Sequence, residues 1–118
     1  MRRFPNTRAG DRVPVRMATK VRCYGDRFIG TVVSLSAGGV FIRSARVLPT
    51  DAEVEMTISP GDGDTPAHLT VTGRVVYHND TGMGVKFHAL PPAATARVNR
   101  VLARHLAEAG RPLAKPGT

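Results

Sequence analysis

The sequence contains a single cysteine and no tryptophan, and aromatic residues make up only 5% of its 118 residues. One thiol, Cys23, cannot form an internal disulfide, and it excludes a zinc site built from several thiolates. This cysteine usage is typical of a reducing compartment. We expect Cys23 to be a small buried hydrophobic residue rather than a reactive thiol. With so few aromatic side chains, the core must consist mainly of Val, Ile, Leu, Ala and Met.

Long apolar segments are also missing. No run approaches the roughly 20 apolar residues that cross a bilayer as a helix. The start of the chain, Met1-Arg2-Arg3, leads into no apolar signal segment. We therefore expect no membrane insertion and a cytoplasmic protein. The length predicts one domain with a single modest core.

No arrangement of side chains indicates catalysis or a resident metal. The four histidines lie on different predicted elements without ligand-like pairing: His68, His78, His88 and His105. No serine is paired with a suitable base, and no glycine-rich loop precedes a lysine as in nucleoside triphosphatases. The acidic loop 59–66 resembles part of a calcium loop but lacks the later glutamate. We expect a protein that is not an enzyme and holds no metal or cofactor.

Positive charge is in clear excess. The net charge is +8, the pI is about 11.1, and 14 of the 17 basic residues are arginine. Arginine suits the planar, bidentate recognition of phosphate and of guanine edges, although high genomic GC content also raises arginine content. The charge therefore predicts an anionic partner without identifying which anion.

Alternating apolar residues predict six strands joined mostly by short connections. The predicted strands are 13–24, 28–35, 39–43, 53–58, 68–79 and 83–90. In the fourth, Val54, Met56 and Ile58 should face the core, and in the fifth Tyr77 is expected to share an inward face with Val75. There is no βαβ pattern, so we expect an antiparallel barrel, mainly β, since closure removes exposed strand edges.

A single C-terminal helix is predicted over residues 91–110, starting at Pro91-Pro92 and ending at Gly110. Its expected apolar stripe consists of Val98, Val101, Leu102, Leu106 and Ala109, and its expected polar side consists of Arg97, Arg100, Arg104 and Glu108. The polar side is interpreted as a solvated face, or alternatively as a docking surface for an acidic partner. The expected organisation is a flexible basic arm over 1–12, a barrel over 13–90, this helix, and a disordered tail over 111–118.

A Ser- and Gly-rich turn joins the second and third predicted strands, in the stretch Thr31–Ile42. Gly38 and Gly39 can take positive φ and approach another group closely. Upstream, Arg8 and Arg12 place two guanidinium groups on the approach to the first strand. Such a turn, with hydroxyls and bare backbone facing two arginines, has the parts needed to hold a phosphorylated, guanine-like ligand.

In these residues the chain resembles the PilZ domains, small bacterial receptors for the second messenger cyclic di-GMP. The family carries an Arg-x-x-x-Arg element, matched by Arg8 and Arg12, and an [Asp/Asn]-x-Ser-x-x-Gly element, matched by Ser36 and Gly39. A family Gly-x-Gly-x-x-Phe strand is matched by residues 82–87. The sequence departs from the pattern where Ser34 occupies the Asp/Asn position.

The resemblance implies a six-stranded barrel with a C-terminal helix and a cyclic di-GMP site. Its implied ligand-binding residues are Arg8, Arg12, Ser34, Ser36, Gly38, Gly39 and Arg43. The arginines would clamp phosphates and stack on guanine, and the Ser36 hydroxyl and nearby amides would bind the ligand. A serine at position 34 lacks the charge of a carboxylate, and losing one charge-assisted hydrogen bond costs about 1.5 to 3 kcal/mol. Weakened binding is therefore expected.

The main hypothesis is a single-domain receptor that binds cyclic di-GMP and relays the signal to an unidentified protein partner, in motility or biofilm regulation. The alternative is a degenerate PilZ-like domain that binds no nucleotide and acts as an interaction module in motility, pilus or polysaccharide regulation. Binding of single-stranded nucleic acid ranks last, because that function needs stacking platforms and most of the six aromatic residues are expected in the core. A monomer or weak dimer is expected.

Overall fold

The structure, a computed structural model, describes residues 12–61, 63 and 66–114, with the backbone alone for 108–114. It contains six strands followed by one helix. These are β1 (Val13–Cys23), β2 (Asp26–Ser36), β3 (Gly39–Arg43), β4 (Glu53–Ser59), β5 (Leu69–His78), β6 (Gly82–Phe87) and α1 (Pro92–Ala114). The predicted strand number and order are confirmed, with ends that shift by one to three residues. The expected flexible arm over residues 1–12 lies outside the described residues except for Arg12.

The strands close into an antiparallel barrel in the order β1-β2-β3-β6-β5-β4. The predicted barrel architecture is therefore confirmed. Closure pairs every strand on both sides for at least part of its length, which is the usual way to avoid unpaired backbone groups in short strands.

The core fills the barrel interior with the aliphatic side chains that the sequence offers. On β4 the alternation is as predicted, because Val54, Met56 and Ile58 are buried and Glu53 is exposed. Cys23 is also buried at the end of β1. Fully buried side chains from all six strands meet here, among them Val21, Val32, Ile42, Met56, Val75 and Met83. Burial of such side chains stabilises the fold by about 1.5 to 3 kcal/mol each.

Helix α1 packs on the barrel through a face rotated from the predicted one. Val98 and Val101 join the core as expected. Leu106, expected on the same stripe, is 56% exposed, so that expectation was wrong. Arg97, expected on the solvated side, is only 6% exposed, and its guanidinium donates a 3.0 Å hydrogen bond to the His68 carbonyl oxygen. A long arginine stem packs like an apolar side chain once its head finds an acceptor.

The helix also ends later than predicted. It starts at Pro92, where the Thr95 amide donates to the Pro91 carbonyl, and continues through Gly110 to Ala114. Residues 111–114, expected in a disordered tail, are therefore helical, and 115–118 lie outside the described residues. No helix in the described part of the chain has the length and apolarity needed to span a membrane.

Candidate functional site

The turn between β2 and β3 is built around the Ser36 hydroxyl. This hydroxyl accepts a 3.3 Å hydrogen bond from the Gly38 amide and lies 3.3 Å from the Gly39 carbonyl, to which it donates. The Gly38 carbonyl in turn accepts from the Phe87 amide at 2.8 Å. Backbone and side chain together therefore fix the turn against the end of β6.

The two turn glycines have different roles. Neither takes the positive φ that glycine permits. The expected close approach holds for Gly39, where an added Cβ would lie 2.2 Å from the Val85 carbonyl oxygen. At Gly38 an added Cβ would meet nothing within 4 Å. Gly39 is thus required by its contact with β6, whereas Gly38 leaves open space above the turn.

A β-bulge turns Ser34 to the outer surface of the barrel. On β2, Val32 pairs with Ile42 and Ser34 pairs with Phe41, which leaves Val33 as an extra residue. A second irregularity faces it on β1, between Pro14 and Met17. Bulges of this kind redirect side chains and are common beside functional sites. The result is that Ser34 and Ser36 lie along the outer surface, near the turn.

Arg12 lies directly before β1 and reaches this surface. Its guanidinium Nη1 donates to the Ser34 hydroxyl oxygen at 3.4 Å. That distance is long for a hydrogen bond, so the contact is weak. The structure therefore brings together Arg12, from the Arg-x-x-x-Arg element, and Ser34, from the Ser- and Gly-rich element.

An aromatic pair lies beside these residues on the outer surface. Phe41 and Tyr77 stack with ring centroids 5.9 Å apart and an interplanar angle of 28°. Between them in the strand order is Gly84, where an added Cβ would lie 2.2 Å from the Tyr77 ring. The bare glycine therefore allows the tyrosine ring to lie flat across β6, with 40% of the side chain exposed.

Tyr77 was predicted to face the core, and that prediction was wrong. A bulge on β5 inserts Val76 between Val75 and Tyr77 and changes the alternation of the strand. Val75 is fully buried, whereas Val76 and Tyr77 are both 40% exposed. The other aromatic residues also differ in burial: Phe87 is buried, whereas Tyr24 is 87% exposed. Aromatic surface is thus more available than the sequence predicted.

These elements surround a shallow pocket of about 230 Å³. Its lining includes Arg12, Ser36, Gly38, Gly39, Tyr77 and Lys86. The arrangement offers a guanidinium, an ammonium, a hydroxyl and an exposed ring around open backbone. Such a pocket can bind an anion that carries a flat heterocycle, because the cations suit phosphate and the ring provides a stacking surface.

The charge around the pocket is positive. Lys86 and Arg74 lie opposite each other on β6 and β5, two residue pairs along from the Tyr77–Gly84 pair. Among residues 12–61, 63 and 66–114, no carboxylate forms an ion pair with Arg12 or Lys86. Arg74 has only a long 3.9 Å contact with the exposed Asp51. This excess of positive charge favours an anionic ligand.

The structure collects five of the seven predicted site residues around the turn: Arg12, Ser34, Ser36, Gly38 and Gly39. Arg43 lies on β3 beyond Phe41, opposite Gly82, and does not line the pocket. Arg8 lies outside the described residues. Sequence reasoning missed Tyr77, Gly84 and Lys86. The spacing of Gly82 and Gly84 within β6 was the available indication, since bare positions on a strand mark a close approach.

The described residues contain no group of three or more His, Cys, Asp or Glu side chains placed to hold a metal ion. His88 instead contacts Glu53, and His105 contacts the Val101 carbonyl.

Comparison with known proteins agrees with this geometry. A family model described as the PilZ domain matches residues 6–107. No curated protein sequence matches the chain. Among solved structures, the PilZ domain of YcgR from Escherichia coli with c-di-GMP has a TM-score of 0.70 at 9% identity, covering 89% of this chain and 95% of that one.

Two further structures share the fold. The PilZ domain of CeSA from a cellulose-synthesizing bacterium has a TM-score of 0.63 at 17% identity, covering 78% of this chain and 94% of that one. The Borreliella burgdorferi PlzA protein in complex with c-di-GMP has a TM-score of 0.54 at 12% identity, covering 78% and 39%. At these identities the structures establish the fold, and the family match covers most of the sequence. The chain belongs to the PilZ domain family.

Proposed function

We propose that this protein is a receptor for cyclic di-GMP that acts by binding and catalyses no reaction. The observation that carries the proposal is the hydrogen bond between Arg12 and Ser34, which joins the two sequence elements beside a basic pocket. The family match and the c-di-GMP complexes among the structural relatives support the choice of ligand.

In the proposed complex, Arg12 contacts a phosphate, and Arg8 adds a second guanidinium from outside the described residues. The Ser36 hydroxyl and the open backbone at Gly38 accommodate the ligand closely, since nothing lies within 4 Å above Gly38. A guanine base has the exposed face of Tyr77 available for stacking, which is worth about 0.5 to 1.5 kcal/mol for an aromatic pair. Lys86 contributes a further positive charge at the pocket edge.

The turn also offers a route by which binding affects the rest of the molecule. A gap of about 310 Å³ separates Ala37 and Gly38 from the helix residues Thr95 and Val98. A ligand that shifts the turn changes the packing of α1, because the Gly38 carbonyl is bonded to the Phe87 amide just before the helix. The proposed relay to a protein partner uses this displacement, since a ligand shifts an equilibrium only through differential contacts.

A second candidate function is supported by Ser34. A serine in place of Asp or Asn removes an acceptor for guanine, and its contact with Arg12 is long. The alternative is a PilZ domain that binds no nucleotide and acts as an interaction module. Absence of binding heat at millimolar cyclic di-GMP selects this alternative.

Isothermal titration calorimetry with cyclic di-GMP tests the proposal. Arg12→Ala removes a charge-assisted contact worth about 1.5 to 3 kcal/mol, so affinity should fall roughly tenfold to a hundredfold. Adding Arg8→Ala should abolish the signal. Arg16→Ala is the matched control, because Arg16 is an exposed arginine on β1 that does not line the pocket. Equal losses for Arg12→Ala and Arg16→Ala would indicate nonspecific charge attraction and would contradict the proposal.

A further inference from the structure

A groove on the described surface lies away from the candidate nucleotide site. It has a volume of about 680 Å³ and is lined by outward residues of β2, β1 and β4, including Lys20, Arg22, Arg27, Ile29 and Glu55. In the barrel order, β1 is three strands from β6 in either direction. The groove is therefore on the opposite side of the barrel from Lys86 on β6. It lies near the tip of the β1–β2 hairpin, whereas Arg12 and Ser36 of the pocket lie at the other end of that hairpin.

The groove has more positive charge than its own carboxylate neutralises. Arg22 and Arg27 are directly opposite each other on β1 and β2, an arrangement that destabilises a strand pair by charge repulsion. Glu55 forms an ion pair with Arg22. Within the described residues, neither Lys20 nor Arg27 has an ion-pair partner. An acidic partner would remove this repulsion.

Exposed apolar surface lies within the same hairpin. Ile29, opposite Lys20, is 72% exposed, and Tyr24 at the hairpin tip is 87% exposed. Tyr24 also takes a φ of 57°, in the left-handed region that non-glycine residues rarely adopt. Ile29 therefore lies among cationic side chains. Such a surface suits a partner segment that has both carboxylates and at least one apolar side chain to contact Ile29.

Part of the β2 backbone beside the groove lacks a second strand partner. Strand β3 ends at Arg43, which pairs with Thr31, so among the described strands Asp26–Gly30 pairs with β1 alone. The Arg46 side chain lies along part of this edge, where it pairs with Asp26 and lies 5.6 Å from the centre of the Phe28 ring. In an antiparallel pair, alternate residues direct their amide and carbonyl groups away from the partner strand. Here these are Arg27 and Ile29, and no loop hydrogen bond of the described chain reaches them. An extended peptide can use such groups, whereas a nucleic acid strand has no matching backbone.

We propose that this groove, defined by Lys20, Arg22, Arg27 and Ile29, docks an extended acidic segment of a partner protein with an apolar anchor. Carboxylates pair with Lys20 and Arg27, and the anchor contacts Ile29. Because the groove and the nucleotide pocket lie at opposite ends of the β1–β2 hairpin, both can be occupied at once. The proposal does not depend on whether cyclic di-GMP binds.

NMR titration of the full chain tests this proposal. The probe is a synthetic peptide with three repeats of Glu-Val-Glu-Ser, and the controls are a Gln-Val-Gln-Ser peptide and an oligothymidylate of similar length. We expect amide shifts at Lys20–Ile29 and Glu55–Thr57 with the acidic peptide. Shifts centred on Arg12 and Ser36, no shifts at millimolar peptide, or equal binding of the glutamine peptide would overturn the proposal. Tighter binding of the oligonucleotide at the same amides would overturn it in favour of nucleic acid.

Variants give an independent readout. Lys20→Glu combined with Arg27→Glu should weaken peptide binding at least tenfold, and Ile29→Ser about fivefold. Arg16→Glu, a single charge reversal at an exposed position on β1 outside the groove, should change it less than twofold. All these positions are on the outer surface, so the spectra should otherwise superimpose on wild type. Unchanged peptide affinity in both groove variants would refute the proposed docking site. If the same variants bind cyclic di-GMP as wild type does, the groove is separate from the nucleotide site.

Discussion

Alanine substitution at Gly39 tests the packing of the site turn against β6. The added Cβ would lie 2.2 Å from the Val85 carbonyl oxygen, a backbone atom that cannot rotate away. Relief requires β3 and β6 to separate by about 1 Å, which weakens the neighbouring ladder hydrogen bonds at about 1 kcal/mol each and loosens the packing of Val40. We expect Gly39→Ala to lower the free energy of unfolding by about 3 kcal/mol.

Two neighbouring glycines provide matched controls. At Gly38 an added Cβ would meet no atom of the described residues within 4 Å, and φ is not positive, so Gly38→Ala should change stability by less than about 0.5 kcal/mol. At Gly84 the added Cβ meets the Tyr77 ring, which can rotate into solvent. That loses an aromatic contact of about 0.5 to 1.5 kcal/mol, partly offset by the 0.5 to 1 kcal/mol that alanine gains over glycine in a strand.

Urea unfolding followed by far-ultraviolet circular dichroism measures all three variants. With an unchanged m-value, the midpoint shift gives the change in stability, and 1 kcal/mol corresponds to about 4 °C in Tm for a chain of this size. The expected order of destabilisation is Gly39→Ala largest, Gly84→Ala small and Gly38→Ala close to zero. If Gly39→Ala were no more destabilising than Gly38→Ala, the close approach of β3 to β6 would be refuted.

Three further changes test other parts of the structure. Ser34→Asp supplies a charged acceptor beside Arg12, and we expect cyclic di-GMP affinity to rise roughly tenfold or more by calorimetry; no gain would mean that position 34 does not contact the ligand. Met56→Ala empties a fully buried position in the barrel, so urea unfolding should show a loss of about 2 to 5 kcal/mol. Arg97→Met keeps the buried stem but removes the hydrogen bond to His68, so the same assay should show a loss of about 1.5 to 3 kcal/mol; a neutral effect would mean that this bond contributes nothing.

The barrel could be predicted because its strands alternate clearly and its turns carry Gly, Pro, Asn and Asp. On β4 the sequence Glu-Val-Glu-Met-Thr-Ile determines which side is inside, and the structure follows it. Strand β5 shows the limit of this reasoning. Alternation holds through Val75, but the bulge at Val76 depends on pairing with β6, and pairing is a long-range property that a local pattern does not contain.

The helix shows a different limit. Hydrophobicity assigned Leu106 to the buried face and Arg97 to the solvated one, and both assignments were wrong. The face that α1 buries depends on where the barrel presents an acceptor for the guanidinium, in this case the His68 carbonyl. The spacing of apolar residues along the helix does not reveal where this acceptor lies.

Only part of the candidate site could be predicted from the sequence. Arg12, Ser34 and Ser36 were identified because they belong to sequence elements with recognisable spacing. Tyr77 and Lys86 were missed because they are distant in sequence and reach the pocket only through the β3-β6-β5 pairing. Their contribution to ligand binding stays a prediction.

An NMR titration with cyclic di-GMP tests the central claim most directly, because it reports binding and location together. The account predicts saturable amide shifts at Arg12, Ser34–Gly39 and Tyr77, and little change at Lys20–Ile29 near the tip of the β1–β2 hairpin. Absence of shifts at millimolar ligand, or shifts spread evenly over the basic surface, would contradict it.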